Sequence, residues 1–145
     1  RVVASLVASE DMTVSLNAPR LKNSKILNYV RERFHVACCA ADVVSIDMPY
    51  TWNDNEGVIR QAELARDIGM TSKSTVNASH CGIINRIFSP TNEEAKQAAQ
   101  IVSAFESARQ AGDGQVDFNG IRIEVPTYLN AMAVTKRYKA LQEFD

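Results

Sequence analysis

Residues 2–8, Val-Val-Ala-Ser-Leu-Val-Ala, form an apolar run that stops on Ser9-Glu10-Asp11. A β-branched run ended by two carboxylates reads as a buried strand delivering acids to its C-terminal end. In parallel α/β architectures ligands and metals gather at that end, because rigid strands there carry loops that are free to vary. The run has no cap or turn before it, so the chain is expected to be the rear part of something larger.

Met12 to Asn23 is polar and contains Asn17-Ala18-Pro19-Arg20, which reads as a loop. Ser24 is then a candidate N-cap. Ile26, Val30, Phe34, Ala37 and Ala41 recur at helical spacing, with Arg31, Glu32 and Arg33 assigned to the solvent side. Val43 to Asp47 reads as a second strand ending in an acid, and Met48 to Asp54 as its loop. Glu56 to Ile68 forms an amphipathic helix through Val58, Ala62, Ala65 and Ile68, stopped by Gly69. Thr71 to Val76 gives a third strand carrying Lys73, followed by Asn77-Ala78-Ser79-His80 and a helix from Ile83 to Phe88. Successive strand–loop–helix units argue for parallel strands joined by right-handed crossovers.

The pattern changes at Ser89. Thr91 and Glu94 stand at capping-box spacing, ahead of a helix through Ala95, Ala98, Val102, Phe105 and Ala108 to Gly112. Gln115 to Val125 reads as a hairpin turning at Asn119-Gly120, and Pro126 opens a last helix to about Leu141. Two regions follow: βα units over residues 1–88, and a helix–hairpin–helix extension over 89–145. Each helix of the extension has an apolar stripe with little local core to receive it, which marks an expected interface.

Sixteen basic residues against seventeen acidic ones give a net charge of −1, with no long block of one sign. That excludes a nucleic-acid scaffold or a polybasic membrane anchor. No stretch approaches the roughly 20 apolar residues that span a bilayer. Cys38, Cys39 and Cys81 lack zinc-ligand spacing and read as buried thiols in a reducing, intracellular compartment.

The apolar run with Glu10-Asp11 is one of five segments that recur together in one family. The others are Ser45-Ile46-Asp47-Met48-Pro49-Tyr50, Gly69-Met70-Thr71-Ser72-Lys73, Ile84-Asn85-Arg86-Ile87-Phe88-Ser89-Pro90 and Asn119-Gly120-Ile121-Arg122-Ile123-Glu124-Val125-Pro126. In order and spacing they resemble the C-terminal part of the citrate lyase beta subunit-like family, which includes malyl-CoA and citramalyl-CoA lyases. The resemblance covers essentially the whole chain. It implies an α/β fold: the C-terminal portion of a TIM (β/α)8 barrel, contributing three βα units, plus a helix–β-hairpin–helix extension. It further implies Mg²⁺, acyl-CoA and 2-oxo acid substrates, and a homo-oligomer, a trimer or hexamer, in which the extension packs over a neighbour's active site. The chain departs from the family at Val76-Asn77-Ala78-Ser79-His80, where Ile-His-Pro-x-Gln is common, and at Glu124, where the lyases carry Asp.

The resemblance makes Asp11 the metal ligand, since Mg²⁺ takes one or two carboxylates and leaves positions for water and substrate. The structural alternative is an acid that caps the next helix. Glu10 is the weaker candidate, because neighbours on a strand face opposite ways. The resemblance puts the family's second carboxylate ligand, a Glu on an earlier strand, outside this chain. Glu124 falls at the family's catalytic acid/base, against the alternative of a solvated hairpin carboxylate. Asp47, Pro49, Tyr50 and Lys73 are candidates for substrate or CoA binding. Lys73 meets either a CoA phosphate or Asp47 in an internal ion pair. His35, His80 and Trp52 read as structural, and no glycine-rich phosphate loop is present.

The function this implies is Mg²⁺-dependent carbon–carbon cleavage of a malyl-, citramalyl- or citryl-CoA-like thioester to acetyl-CoA and a 2-oxo acid. The alternatives are a thioesterase or CoA-independent aldolase of the same family, and a non-catalytic relative that binds or assembles. The expected setting is the cytoplasm, or an organelle matrix in a eukaryote.

Overall fold

A computed structural model describes residues 1–143. Three parallel strands form one sheet in the order β1-β2-β3: β1 Ala4–Leu6, β2 Val44–Asp47 and β3 Ser72–Lys73. Ala4 pairs with Val44 and Leu6 with Ile46, and Asp47 pairs with Lys73. All three strands therefore end on one edge. The strands are shorter than the apolar runs that encode them, and Val2, Val3, Leu6 and Val44 remain exposed.

The segment after β1 differs from the sequence reading. Helix α1, Ser9–Ser15, replaces the expected loop, so Glu10 and Asp11 occupy a helical first turn and not a strand end. The cause is local. Carboxylates in a first turn favour the positive end of the helix dipole, so the same acids that stop a strand can start a helix. Leu16 ends the helix, and Asn17 takes a positive φ of 51°.

Helix α2, Lys25–Ala40, follows an extended Ser24 whose side chain makes no capping bond. Its inward face is Leu27, Arg31, Phe34 and Cys38, whereas Ile26, Ala37 and Ala41 are exposed. Arg31, expected in solvent, is 1 % exposed. Its burial follows from the partner described below.

Helix α3, Asn55–Asp67, is capped by Asp54, whose carboxylate accepts from the Gly57 amide at 2.8 Å. Val58, Ala62 and Ala65 are fully buried and pack with Tyr50, Met70, Ile84 and Phe88. Helix α4, Cys81–Phe88, completes this core after a single 3₁₀ turn at Ala78–His80. Gly57 has a specific role here: a Cβ at that position would overlap the Tyr50 phenol.

The chain divides into two compact units, residues 1–88 and the part from Ser89 onward. In the second unit, α5 Asn92–Gln110 starts with the full capping box: Glu94 N donates to Thr91 Oγ1 at 3.1 Å, and Thr91 N donates to the Glu94 carboxylate at 2.7 Å. Strands β4 Val116–Phe118 and β5 Ile121–Ile123 form an antiparallel hairpin. Asn119 and Gly120 both have positive φ, 50° and 76°, as a type I′ turn requires. Helix α6, Val125–Gln142, lies against α5 with Phe105 and Tyr128 stacked at 4.7 Å. No helix among the described residues is long and apolar enough to cross a membrane.

Candidate functional site

Three groups of side chains meet at the C-terminal edge of the first unit's sheet. The deepest is ionic. Asp47, last residue of β2, has no exposed surface and accepts from Arg31 Nε at 2.7 Å and from Lys73 Nζ at 2.6 Å. Lys73 also donates to the Met48 carbonyl at 2.6 Å. The Arg31 guanidinium is completed by Asn28 at 3.0 Å and by Gln61. Burial pulls the Lys73 ammonium below its ordinary range, against the opposing attraction of Asp47.

The second group covers the end of β1. Glu10 accepts from Arg20 Nε at 2.8 Å and from the Thr51 hydroxyl at 2.5 Å, and these bonds hold its carboxyl below the usual range. Arg20 also donates to Thr51 at 3.0 Å and lies over the Trp52 ring, 4.1 Å from its centroid.

The third group sets the start of α3. Asp54 accepts from Lys22 at 2.7 Å and from the Tyr50 hydroxyl at 2.8 Å, which with its capping bond hold it well below the carboxylate range. Burial and the Asp54 charge push the Tyr50 hydroxyl up to about 12.

A small cleft of about 30 Å³ runs between these groups, lined in part by Glu10, Arg20, Lys22, Pro49, Tyr50 and Trp52. Arg20, Lys22, Arg31 and Lys73 provide four cations in these ion pairs, against the three carboxylates Glu10, Asp47 and Asp54. Carrying one more positive than negative charge into a partly buried edge is costly, and an anion placed there offsets it.

The structure places the candidates from sequence as follows. Pro49 and Tyr50 line the cleft. Asp47 and Lys73 pair with each other beneath it, so the ion-pair alternative describes their geometry here. Asp11 is exposed and has no hydrogen-bond or ion-pair partner among the described residues. Glu124, in the second unit, is the N-cap residue of α6. Its side chain makes no capping bond, and it borders a shallow surface depression with Gly114, Gln115, Val125 and Pro126. His80 is fully buried beside Tyr50, its ring centroid 6.2 Å away, with Nδ1 unpartnered. No group of three or more His, Cys, Asp or Glu side chains among the described residues is gathered to hold a metal.

Sequence reasoning missed Arg20, Lys22, Arg31, Asn28, Thr51 and Gln61. Arg31 had a usable signal, since it sits four residues after Leu27 and three before Phe34 on one helix face. The loop residues Arg20 and Lys22 had none.

No family model matches the chain. Among curated proteins it is 30% identical over 137 residues to the citrate lyase subunit beta of Leuconostoc mesenteroides subsp. cremoris, covering 94% of this chain and 45% of that protein. It is 26% identical over 141 residues to the mitochondrial citramalyl-CoA lyase of Rattus norvegicus, covering 97% of this chain and 42% of that one. Over nearly its whole length this chain is similar to the citrate lyase beta subunits. It spans less than half the length of these two curated relatives.

Among solved structures, CitE of Mycobacterium tuberculosis in complex with magnesium, acetoacetate and coenzyme A matches with a TM-score of 0.77 at 19% identity. That match covers 92% of this chain and 51% of that one. A citrate lyase from Burkholderia xenovorans matches with a TM-score of 0.67 at 21% identity, over 81% of this chain and 37% of that one. The fold of the first unit is accordingly a three-strand part of an α/β barrel, and the helix–hairpin–helix that follows is the expected extension.

Proposed function

We propose that this chain carries part of the machinery of a Mg²⁺-dependent carbon–carbon lyase acting on a malyl-, citramalyl- or citryl-CoA-like thioester, in a homotrimer or homohexamer. The setting is cytoplasmic or an organelle matrix. The observation that carries the reading is Asp11, an exposed carboxylate without a hydrogen-bond or ion-pair partner among the described residues, in the first turn of the helix that follows β1, in a chain whose relatives are citrate and citramalyl-CoA lyases.

The residues present fit Mg²⁺ as a partial set. Asp11 offers the hard oxygen the ion prefers, and one protein carboxylate leaves the remaining octahedral positions to water, substrate or further ligands. When bound, the ion supplies Lewis-acid polarisation of the substrate's oxygen. The chain's own residues do the rest. The excess positive charge beneath Pro49 and Tyr50 draws an anionic group of the substrate toward the strand ends. Lys73 fixes the Met48 carbonyl and with it the loop that floors the cleft. As the carbon–carbon bond breaks, its electron pair passes to the carbon next to the thioester, and in this reading Glu124 delivers the proton that completes acetyl-CoA in a neighbouring subunit's site.

Acetyl-CoA release from the three thioesters, followed by mass spectrometry with and without Mg²⁺, tests the reading. Asp11→Asn is expected to abolish the Mg²⁺-dependent rate. Glu124→Gln is expected to lower turnover about a hundredfold with little change in KM. Full activity in Glu124→Gln places the acid elsewhere. No turnover of any of the three by the full-length wild-type protein favours the second reading, a non-catalytic binding relative. The observation behind that alternative is Glu124, which stands where the lyases carry Asp.

A further inference from the structure

Between α1 and α2 the chain crosses the mouth of the strand-end cleft as a strap with no buried side chain to hold it down. Every residue from 19 to 23 is exposed, and its large apolar side chain, Leu21, is 54% exposed. The two ends are fixed. Asn17 takes its left-handed turn and Ala18 N donates to the Thr13 carbonyl at 2.9 Å, while Ser24, which precedes α2, is buried. A segment without buried apolar contacts, held between two anchored ends, belongs to the part of a protein that opens at lowest cost.

What ties the strap across the cleft is polar and lies at the surface. Arg20 reaches Glu10 on one side and Thr51 and the Trp52 ring on the other, and Lys22 reaches Asp54. Gln61 Nε2 donates to the Lys22 carbonyl at 3.5 Å, a long bond. The side chains of the two ion pairs are 37% to 52% exposed, so salt screens them. Beneath the same cleft, the side chains of Asp47, Arg31 and Lys73 are no more than 2% exposed. The floor is built to stay and this wall to leave.

The size of the cleft calls for a wall that moves. A volume of about 30 Å³ holds about two water molecules, whereas a site for a small organic ligand takes roughly 300 Å³ or more. Arg20, Leu21 and Lys22 line the cleft, so displacing the strap widens it without disturbing the sheet. We propose that residues 19–23 are a lid on the strand-end cleft, latched by Arg20 and Lys22 and released when those contacts are screened or out-competed. The lid serves any ligand of this edge, whether or not a carbon–carbon bond is cut there.

Trp52, the chain's single tryptophan, reports the latch, because Arg20 covers one face of its ring. Quenching of its fluorescence by acrylamide, a neutral probe, is measured from about 0.05 M to about 1 M sodium chloride, where the screening length shrinks to about 3 Å. N-acetyltryptophanamide is the reference, and circular dichroism checks the fold. The wild-type quenching constant is expected to rise about twofold with salt, as the second ring face opens. Arg20→Gln is expected to start at the high value and to respond to salt no more than the reference does. Lys22→Gln is expected to start between the two. Wild-type quenching that merely follows the reference overturns the proposal. So does a folded Arg20→Gln chain that quenches like the wild type at low salt. If Arg20→Gln fails to fold, the wild-type titration and Lys22→Gln decide, and a Lys22→Gln chain identical to wild type then overturns it. No turnover enters this readout, so the lid and the lyase reading stand or fall separately.

Discussion

The two units handle charge in opposite ways. The first buries it: Arg31, Asp47 and Lys73 are sealed beneath the strand ends, while apolar Leu6 and Val44 stand exposed on its short sheet. The second keeps charge in water and stabilises itself by local geometry. Its capping box and type I′ turn are near-neighbour devices, and its Arg122–Asp117 pair is 60% and 71% exposed. The difference separates what is expensive from what is cheap. A buried ion cluster costs more in desolvation than a cap does, so its presence in one unit points to a use beyond stability.

The largest expected effect tests that asymmetry directly. Asp47→Ala leaves two buried cations without their carboxylate and is expected to destabilise the first unit by about 3–5 kcal/mol. The chain's single tryptophan, Trp52, lies in that unit, so its fluorescence during urea unfolding reports the loss. The matching change in the second unit, Asp117→Ala, is expected to cost no more than about 1 kcal/mol, as exposed pairs do. Similar costs at both positions would remove the contrast.

Thr91→Ala sharpens the other side of the comparison. It removes one half of the capping box, with an expected cost of about 1 kcal/mol. Amide exchange in the first turn of α5 should quicken several-fold, and α3 should be unaffected.

The smallest effect concerns acid. Asp54 and Glu10 are held below the ordinary carboxylate range in the folded chain, so the folded state takes up their protons later than the unfolded state does. Their contribution is fully present above the unfolded value of about 4 and is lost as pH falls below it toward the depressed folded values. The urea midpoint read by Trp52 should therefore drop between about pH 5 and pH 3, and Asp54→Asn should flatten that drop. A pH-independent midpoint in the wild type would argue against these bonds in solution.

What was legible in the sequence follows the same divide. Thr91 with Glu94, and Asn119-Gly120, were readable because each signal and its partner lie within a few residues. The parallel strands were readable from their periodicity, although their ends were not. Helix α1 was missed because Ser9-Glu10-Asp11 serves equally well as the end of a strand and the start of a helix. Arg31 was misplaced because a charge on a helix reads as solvated until its carboxylate is known, and Asp47 lies 16 residues away. The cysteines were read as buried on composition alone, yet Cys39 and Cys81 are exposed. For Asp11 and Glu124 the sequence supplied a role through resemblance, and the structure supplies a position.

Gly57 shows how little slack the loop above the cleft has. In most helices the first turn accepts almost any small residue, and drift there passes unnoticed. At this position the first added carbon would collide with the Tyr50 phenol, and that ring cannot retreat without giving up its bond to Asp54, the cap of the same helix. A saturation-mutagenesis map of α3 would therefore show one intolerant column in an otherwise permissive opening turn. The hydrogen atom that glycine carries in place of a methyl is what permits the ring, the cap and the loop to coexist.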